Sequence, residues 1–198
     1  MSALTEKLKI TPEEYLAGEM DAPIRSEYVH GEVYAMAGAS DGHITVTGNL
    51  FAMLKPHLRG SGCKSYISDM KVRIGADNAY YYPDLLVSCD PSDHKRNYIK
   101  HAPTLIVEVL SSSTEAYDRG GKFALYRQLE SLQEYVLVDP RTYRVEIFRR
   151  NPHNRWELFS FEGETAEVEF ASLNFHCPMQ DIYEDVDFEL AQAELPKV

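Results

Sequence analysis

Hydrophobic and polar positions along the chain follow two different periods. From Ser40 to Arg59, apolar residues recur at steps of three and four, which predicts an amphipathic helix that ends at Gly60. Residues 80–88 and 104–110 are near-continuous apolar runs, which are typical of central strands that are buried on both faces. The chain therefore contains both helical and strand patterns.

The N-terminal segment predicts a helix followed by a hairpin. Thr11 is a good N-cap residue, and Glu14 stands at the position that completes a capping box. We expect this helix to stop near Gly18. Two short apolar strands then flank His30-Gly31, a dipeptide that indicates a tight β-hairpin.

The rest of the chain predicts a second helix and several further strands. Phe123, Tyr126 and Leu129 are spaced so that they share one helical face. An acidic stretch over 181–189 is either a short helix or a solvated tail. The additional predicted strands cover residues 70–74, 134–138, 143–148 and 156–161.

This order of elements indicates a mixed α/β (α+β) fold in which a central sheet is flanked by helices. We predict a single domain over 1–198. It would consist of an N-terminal helix and β-hairpin extension over 1–38, a core over 39–150, and a C-terminal strand and acidic tail over 151–198.

The composition is that of a folded chain with an acidic balance. Hydrophobic residues make up 44% and charged residues 26%, which argues against general disorder. The net charge of −11 excludes binding to nucleic acid through bulk positive charge, but not through a local basic or metal-bearing cleft. Because the sequence has no signal-peptide pattern and no bilayer-length apolar stretch, we expect a cytoplasmic protein without a membrane partner.

The three cysteines are Cys63, Cys89 and Cys177, an odd number without CxxC spacing. This pattern favours three reduced thiols over a disulfide scaffold or a structural zinc site.

Two carboxylates interrupt the buried apolar runs, Asp84 in the first and Glu108 in the second. A charge on a buried strand is costly unless something compensates it. The compensating group is either a basic side chain from a covering helix or a shared divalent cation, for which carboxylate oxygens are natural ligands. If the two strands are adjacent and antiparallel, these side chains meet over one face of the sheet. We favour the metal interpretation.

Lys122 is the third candidate for chemistry. On the helical period it shares a face with Tyr126 and Leu129, so an inward-facing ammonium would need a carboxylate or phosphate partner. The alternative is a surface lysine whose ammonium stays in water, as for most helical lysines.

These elements and residues together resemble the PD-(D/E)XK nuclease superfamily, and more closely a branch of small stand-alone restriction-endonuclease-like proteins of bacteria. The resemblance extends from about Thr11 to Arg150 and includes the helix after His43. It is carried by EYVHGEVYAMAG (27–38), SDMKVRI (68–74), YYPDLLV (81–87), LIVEVLSSST (105–114), YDRGGKFALYRQL (117–129) and QEYVLVDP (133–140).

The resemblance implies a restriction-endonuclease-like fold and a set of catalytic residues. Asp84 and Glu108 would be metal ligands, with the backbone carbonyl of Val109 as a further ligand. The superfamily lysine expected two residues after the acidic residue is absent, because Leu110 stands there. In this branch Lys122 on the following helix would take its place as the catalytic lysine.

Glu27 and His43 also match the branch. Glu27 is either an additional metal ligand, with Glu32 as the next choice, or a structural residue that pairs with Arg25 or caps the hairpin. His43 stands at a helix start, where a hydrogen-bonded structural role is the commoner one. Asp69 and Lys71 form a second acid–lysine pair, which the solvated face of a strand explains without any chemistry.

The loop between the two apolar runs is basic, and it contains Lys95, Arg96 and Lys100. These side chains either contact a phosphate backbone, as substrate-binding residues, or belong to a solvated connection.

The resemblance therefore implies an endonuclease that hydrolyses phosphodiester bonds in DNA with one or two Mg²⁺ or Mn²⁺ ions. The alternative is a nuclease-fold binding or regulatory module with little or no activity, which the acidic balance favours. We expect a homodimer, formed through an exposed apolar stripe of the N-terminal hairpin or the last strand.

Overall fold

The computed structural model describes residues 9–75 and 79–192. The helices are α1 (Pro12–Asp21), α2 (Asp41–His57), α3 (Glu115–Tyr117), α4 (Phe123–Tyr126), α5 (Met179–Ile182) and α6 (Phe188–Gln192), with a π-helical turn (Asp118–Lys122) between α3 and α4. Short 3₁₀ turns cover Asp93–Lys95 and Ala171–Leu173. The strands are β1 (Ser26–Val29), β2 (Glu32–Ala35), β3 (Lys64–Ile67), β4 (Lys71–Ile74), β5 (Ala79–Tyr81), β6 (Leu85–Ser88), β7 (Ile99–Lys100), β8 (Leu105–Val109), β9 (Glu134–Asp139), β10 (Arg144–Arg150), β11 (Trp156–Glu162), β12 (Glu167–Phe170) and β13 (Phe175–Pro178).

The strands form two main sheets and a separate hairpin. The larger sheet has the order β11-β10-β9-β8-β6-β3, the smaller has the order β2-β1-β5-β4-β7, and β12 pairs with β13. Strands β8 and β9 are parallel neighbours, and the segment from α3 to α4 makes the crossover between them. This mixed α+β architecture, with mixed sheets flanked by helices, confirms the predicted fold class.

The apolar run over 80–88 is two strands in different sheets, so the prediction of one strand is wrong. Strand β5 ends at Tyr81 in the smaller sheet, and β6 begins at Leu85 in the larger one. Pro83 lies between them, and its missing N–H cannot take part in a strand ladder. The N-terminal hairpin belongs to the smaller sheet, because β1 pairs with β5 as well as with β2.

Both faces of the larger sheet are covered at its central strands, which explains why β6 and β8 are apolar at nearly every position. Leu85 and Val107 pack with Leu50 of α2 on one face, while Leu86 and Ile106 pack on the other face. Full burial of each such side chain stabilises the fold by about 1.5–3 kcal/mol. Glu108 alternates with Val107 along β8, so its side chain is on the face opposite α2.

The predicted helix starts and the predicted hairpin are confirmed. Thr11 Oγ1 accepts a hydrogen bond from the Glu14 backbone N–H, and the Glu14 carboxylate accepts one from Thr11, although α1 continues past Gly18 to Asp21. The Ser40 side chain caps α2. Between β1 and β2, His30 and Gly31 have φ values of 50° and 95°, as a type I′ turn requires.

Cys63 and Cys89 form a disulfide with their Cα atoms 4.0 Å apart, so the prediction of three reduced thiols is wrong. The cause is the pairing of β3 with β6, in which Lys64 lies opposite Ser88. The residues just beyond this pair are the two cysteines, which the antiparallel register therefore places side by side. Cys177 is a buried free thiol.

The C-terminal part adds elements that hydrophobic patterning predicts only in part. Strand β11 is confirmed, and the acidic stretch over 181–189 is partly helical, in α5 and α6. The β12–β13 hairpin is an additional element, and residues 193–198 of the predicted tail lie outside the described residues. Within 9–75 and 79–192, no helix combines the length and the apolar character needed to cross a membrane.

Candidate active site

The two main sheets meet where the chain passes from β5 to β6, and the predicted site residues lie at this junction. Glu27 comes from β1 of the smaller sheet, and Glu108 comes from β8 of the larger sheet. Asp84 directly precedes β6, and Lys122 is the last residue of the π-helical turn. Single π-helical turns inside helices occur frequently at functional sites.

Asp84 is held from two sides. Its Oδ1 lies 2.8 Å from Nε2 of His43, and its Oδ2 accepts a hydrogen bond of 2.7 Å from the Val109 backbone N–H. Strands β6 and β8 are antiparallel neighbours, as the expected hairpin requires. The carboxylate of Asp84 is therefore fixed at the end of the ladder that also carries Glu108.

Glu108 is buried, and two side chains contact its Oε1. Tyr126 donates a hydrogen bond of 3.0 Å from its hydroxyl, and the Lys122 ammonium lies 3.0 Å away. The predicted common face of Lys122 and Tyr126 is thus the face that meets Glu108. The interpretation of Lys122 as a solvated surface lysine is wrong, because the residue is only 6% exposed.

The Lys122 ammonium lies among three carboxylates. Its Nζ is 3.0 Å from Glu108 Oε1, 3.1 Å from Glu27 Oε1 and 3.7 Å from Asp118 Oδ1. It also lies 5.2 Å from the centre of the Tyr81 ring, a cation–π distance. We call Glu27, Asp84, Glu108, Asp118 and Lys122 the carboxylate cluster.

Glu27 joins this cluster instead of pairing with Arg25. Its Oε1 accepts a hydrogen bond of 3.2 Å from the Tyr82 backbone N–H in addition to its contact with Lys122. Arg25 lies 3.8 Å from Asp69. Glu32, the second choice, accepts a hydrogen bond from Tyr34 on the hairpin itself.

Negative charge exceeds positive charge in the carboxylate cluster, and burial and the neighbouring charges shift the pKa values of Glu108, Asp118 and Lys122. Burial raises the pKa of Glu108 well above its ordinary value; Lys122 opposes this change, and the neighbouring carboxylates add to it. Burial also raises the pKa of Asp118, against the effect of Lys122. For Lys122, burial disfavours the charged form, but Glu108, Glu27 and Asp118 outweigh it and raise the pKa of the ammonium.

Hard carboxylate oxygens with surplus negative charge are the donor set that suits a divalent cation such as Mg²⁺. Within the part of the chain that the structure describes, no group of three or more His, Cys, Asp or Glu side chains is arranged so that it could hold a metal ion. The positive charge among Glu27, Glu108 and Asp118 is the chain's own Lys122. The oxygens of the cluster suit a divalent cation by their chemistry and charge, although Lys122 supplies the positive charge among three of the carboxylates in this arrangement.

The basic loop divides into buried and exposed residues. Lys100 is 1% exposed, and its ammonium donates hydrogen bonds to the backbone carbonyls of Asp93 and Arg96, so the expected substrate contact at Lys100 is wrong. Its burial follows from β7, which pairs with β4 at this position. Lys95 is exposed and Arg96 half-buried, so both can contact a ligand from solvent.

Two members of this arrangement gave little signal in the sequence. His43 contacts Asp84 across 41 residues of chain; it matches the branch, but its position at a helix start favoured a structural role. Asp118 precedes Lys122 by four residues, a spacing at which helical side chains meet, and this spacing is the one indication of their contact that the sequence offers.

Lys71 lies outside the carboxylate cluster. Strand alternation predicted a solvated strand face for it, but it is buried beneath α1.

The chain matches a protein-family model described as "Uma2: Putative restriction endonuclease" over residues 12–180. It is 37% identical over 180 residues to the uncharacterized protein slr1290 of Synechocystis sp., covering 91% of this chain and 94% of that protein. It is 36% identical over 174 residues to the uncharacterized protein sll1609 of the same organism, covering 86% of this chain and 97% of that protein.

The fold is similar to a crystal structure from Anabaena variabilis of "a putative nuclease belonging to DUF820". The TM-score is 0.73 at 18% sequence identity, and the match covers 92% of this chain and 99% of that chain. At this identity the similarity shows a common fold.

Proposed function

Because the chain belongs to the Uma2 family of restriction-endonuclease-like proteins, we propose that it is a Mg²⁺-dependent endonuclease that hydrolyses phosphodiester bonds in DNA. The observation that carries the proposal is the carboxylate cluster. Three carboxylates converge on one ammonium at the junction of the two sheets, in a chain whose family and fold are nuclease-like.

Asp84, Glu108 and the backbone carbonyl of Val109 would hold Mg²⁺ or Mn²⁺, with Glu27 as a further carboxylate. When bound, the ion lowers the pKa of a coordinated water and stabilises negative charge on the phosphate. Other groups of the chain hold these ligands in position through hydrogen bonds. His43 and the Val109 N–H orient Asp84, and Tyr126 orients Glu108.

Lys122 acts in this proposal as a hydrogen-bond donor and a positive charge. Its raised pKa means that the ammonium keeps its proton near neutral pH, so it is poorly suited to removing a proton from water. A fixed ammonium is well suited to orient the attacking water and to stabilise charge that develops on the phosphate.

Substrate binding must overcome the net charge of −11. Lys95 and Arg96 would contribute local contacts to the phosphate backbone, whose strength falls as salt concentration rises. A homodimer would supply two such clusters to the two strands of a duplex.

One observation favours the alternative, a binding or regulatory module with little or no nuclease activity. The ammonium of Lys122 lies where three carboxylates converge, and it neutralises part of their charge without any metal. In a module of this kind, Lys122 would serve only to keep the cluster folded.

The test is cleavage of supercoiled and of single-stranded DNA at low salt, with Mg²⁺, with Mn²⁺ and with EDTA. We expect Asp84→Asn, Glu108→Gln and Lys122→Met each to lower the cleavage rate by about a hundredfold or more. Exposed residues outside the cluster supply the matched controls Glu13→Gln and Lys55→Met, which should cleave like the wild type.

Circular dichroism would verify that each variant is folded. Absence of cleavage by the wild type, together with absence of metal binding by calorimetry, would contradict the nuclease proposal and support the binding module. If Lys122→Met is folded and is the one variant with full activity, the assignment of the metal ligands stands and the role proposed for Lys122 is wrong.

A further inference from the structure

A pocket of about 290 Å³ lies next to the carboxylate cluster, and the proposed reaction does not use it. Helix α1, strand β4 and the start of β7 enclose it, and Tyr82 forms part of its wall. Its volume is at the lower end of the range for small-molecule sites, so it suits one small ligand unit rather than a polymer segment.

Lys71 is the unusual residue of this pocket, because it is only 8% exposed and its ammonium faces aromatic rings. The Nζ atom lies 5.2 Å from the ring centre of Tyr82 and 5.7 Å from that of Tyr15. Across residues 9–75 and 79–192 it forms no hydrogen bond and no ion pair, although an ammonium carries three donors. Among the described residues, the fully buried side-chain atoms without a hydrogen-bond partner do not include this Nζ, so the ammonium is open to the pocket, where an acceptor atom of a ligand can contact it.

The nearest buried carboxylate does not serve as that partner. Oε1 of Glu19 accepts hydrogen bonds from the Ser26 backbone N–H at 3.0 Å and from the Tyr82 hydroxyl at 2.9 Å. These two donors hold Glu19 in place. Burial lowers the pKa of Lys71, while the charge of Glu19 supports the charged form of Lys71 through space and is the smaller effect.

The other polar groups of the pocket make it balanced in charge. Arg25 and Asp69 lie 3.8 Å apart on its rim, and both side chains are solvent-accessible. With Lys71 and Glu19 this gives two positive and two negative groups. A bare phosphate would meet two carboxylates here, whereas a neutral ligand with acceptors on one edge and donors on another would be complemented by all four groups.

The remaining walls are flat or apolar. Tyr98 is 74% exposed at the mouth of the pocket and presents an aromatic face, and Leu16 and Ile99 line the interior. A free aromatic ring beside an apolar wall suits a planar ligand that stacks.

The pocket and the carboxylate cluster are connected through Tyr82. Its hydroxyl donates to Glu19 in the pocket, and its backbone N–H donates to Glu27 in the cluster. Asp84 follows two residues later. A ligand that occupies both places would therefore be a planar unit attached to a phosphate.

We propose that this pocket binds one nucleobase of the DNA strand whose phosphate lies at the carboxylate cluster, with Lys71 donating to acceptors on the base edge and Tyr98 stacking on the ring. This inference rests on the proposed function, since it assigns a place to part of that substrate. Guanine fits these groups best, because it presents two acceptors, N7 and O6, on the edge that lysine and arginine recognise.

The test uses deoxyguanosine 5′-monophosphate as the probe and deoxyribose 5-phosphate as its base-free counterpart. Both are titrated into the full chain in Mg²⁺, because the carboxylate cluster would repel a phosphate in EDTA, and are followed by ligand-observed NMR; neither probe has a phosphodiester bond to cleave. We expect the nucleotide to bind at least about tenfold more tightly than the sugar phosphate. Lys71→Met should weaken nucleotide binding by about tenfold or more, and Lys55→Met should leave it unchanged.

Tyr98→Ala is the second variant, because so exposed a side chain contributes little to folding; we expect about three- to tenfold weaker nucleotide binding. Equal binding of the two probes would overturn the proposal by showing a phosphate site. Absence of nucleotide binding, or full binding by folded Lys71→Met and Tyr98→Ala, would also overturn it.

The two proposals can fail separately. Lys71-dependent nucleotide binding by a chain that cuts no DNA would support the nucleobase pocket and contradict the nuclease. Metal-dependent cleavage without nucleotide binding would leave the nuclease in place and remove the pocket assignment.

Discussion

Lys100 and Lys122 are both buried in this molecule, and the groups that surround their ammoniums differ. Lys100 is 1% exposed and Lys122 is 6% exposed. Lys100 donates to two backbone carbonyls and lies 4.4 Å from the centre of the Tyr66 ring. Lys122 instead faces the carboxylates of Glu27, Glu108 and Asp118.

The carboxylate beside Lys100 also has hydrogen-bond donors on both of its oxygens. Asp93 is completely buried, and its two oxygens accept from the Ser88 hydroxyl, the backbone N–H groups of His101 and Ala102, and Arg96. Both oxygens of Asp93 have donors within the chain, so this carboxylate joins the loop before β7 to the end of β6 and has no capacity for a ligand. The carboxylate cluster around Lys122 has more negative charge than its surroundings can neutralise. A buried polar cluster with unbalanced charge is therefore a better candidate for a binding site than one in which every donor and acceptor is paired.

The largest expected effect is a loss of stability when Asp93 is replaced, with no such loss when Glu108 is replaced. Asp93→Asn should lower the free energy of unfolding by about 3 kcal/mol, because the amide would direct an NH₂ group at donors that now contact a carboxylate. Glu108→Gln in EDTA should lie within about 1 kcal/mol of the wild type or be more stable, because it removes one charge from a repulsive group. Urea denaturation measures both, with Glu13→Gln as the control; equal losses in the two variants would contradict the distinction.

The second effect is stabilisation by metal. If the surplus charge binds Mg²⁺ or Mn²⁺, the wild type should gain about 2.7 kcal/mol of unfolding free energy at a hundred times the dissociation constant. Asp84→Asn and Glu108→Gln should lose most of this gain. Asp93→Asn should show the same gain, starting from a lower free energy of unfolding without the ion. Urea denaturation with and without the ion decides the matter. A gain that survives Glu108→Gln would place the ion elsewhere.

The third effect is the dependence of stability on pH in EDTA. The pKa of Glu108 is raised in the folded protein, so the native state binds a proton more tightly than the unfolded chain does. Its contribution is therefore fully present below the ordinary value of 4.5 and is lost as pH rises through the folded pKa. Each tenfold difference in proton affinity between the folded and unfolded states corresponds to about 1.4 kcal/mol of stability. The difference in unfolding free energy between the wild type and Glu108→Gln should therefore change as pH rises through the folded pKa of Glu108. A difference that does not depend on pH would show that Glu108 is ionised at no cost to stability.

Much of this contrast can be predicted from the sequence, because Asp84 and Glu108 each interrupt an apolar run and Lys122 falls on the helical period of two core residues. The division of the 80–88 run between two sheets is harder to predict, since both halves are buried and equally apolar. Pro83 was the single local indication.

Contacts between distant segments account for what the sequence does not reveal. The Cys63–Cys89 disulfide depends on the register of β3 against β6, and the burial of Lys100 depends on the pairing of β7 with β4. Local spacing indicates neither register. The same is true of His43, whose partner Asp84 becomes its neighbour only when α2 packs on the larger sheet.

The smallest expected effect separates the exposed lysine of the basic loop from its buried neighbour. Lys95→Ala should weaken binding of short duplex DNA by about two- to threefold and lower the slope of log affinity against log salt by about 1, because one phosphate contact is lost. Lys100→Met should leave that slope unchanged and lower stability instead, because its ammonium already donates to two carbonyls. Fluorescence anisotropy across a salt series, in EDTA, measures the slope for both variants. A reduced slope in folded Lys100→Met would mean that the loop opens when it meets DNA, and burial would then no longer distinguish the two residues.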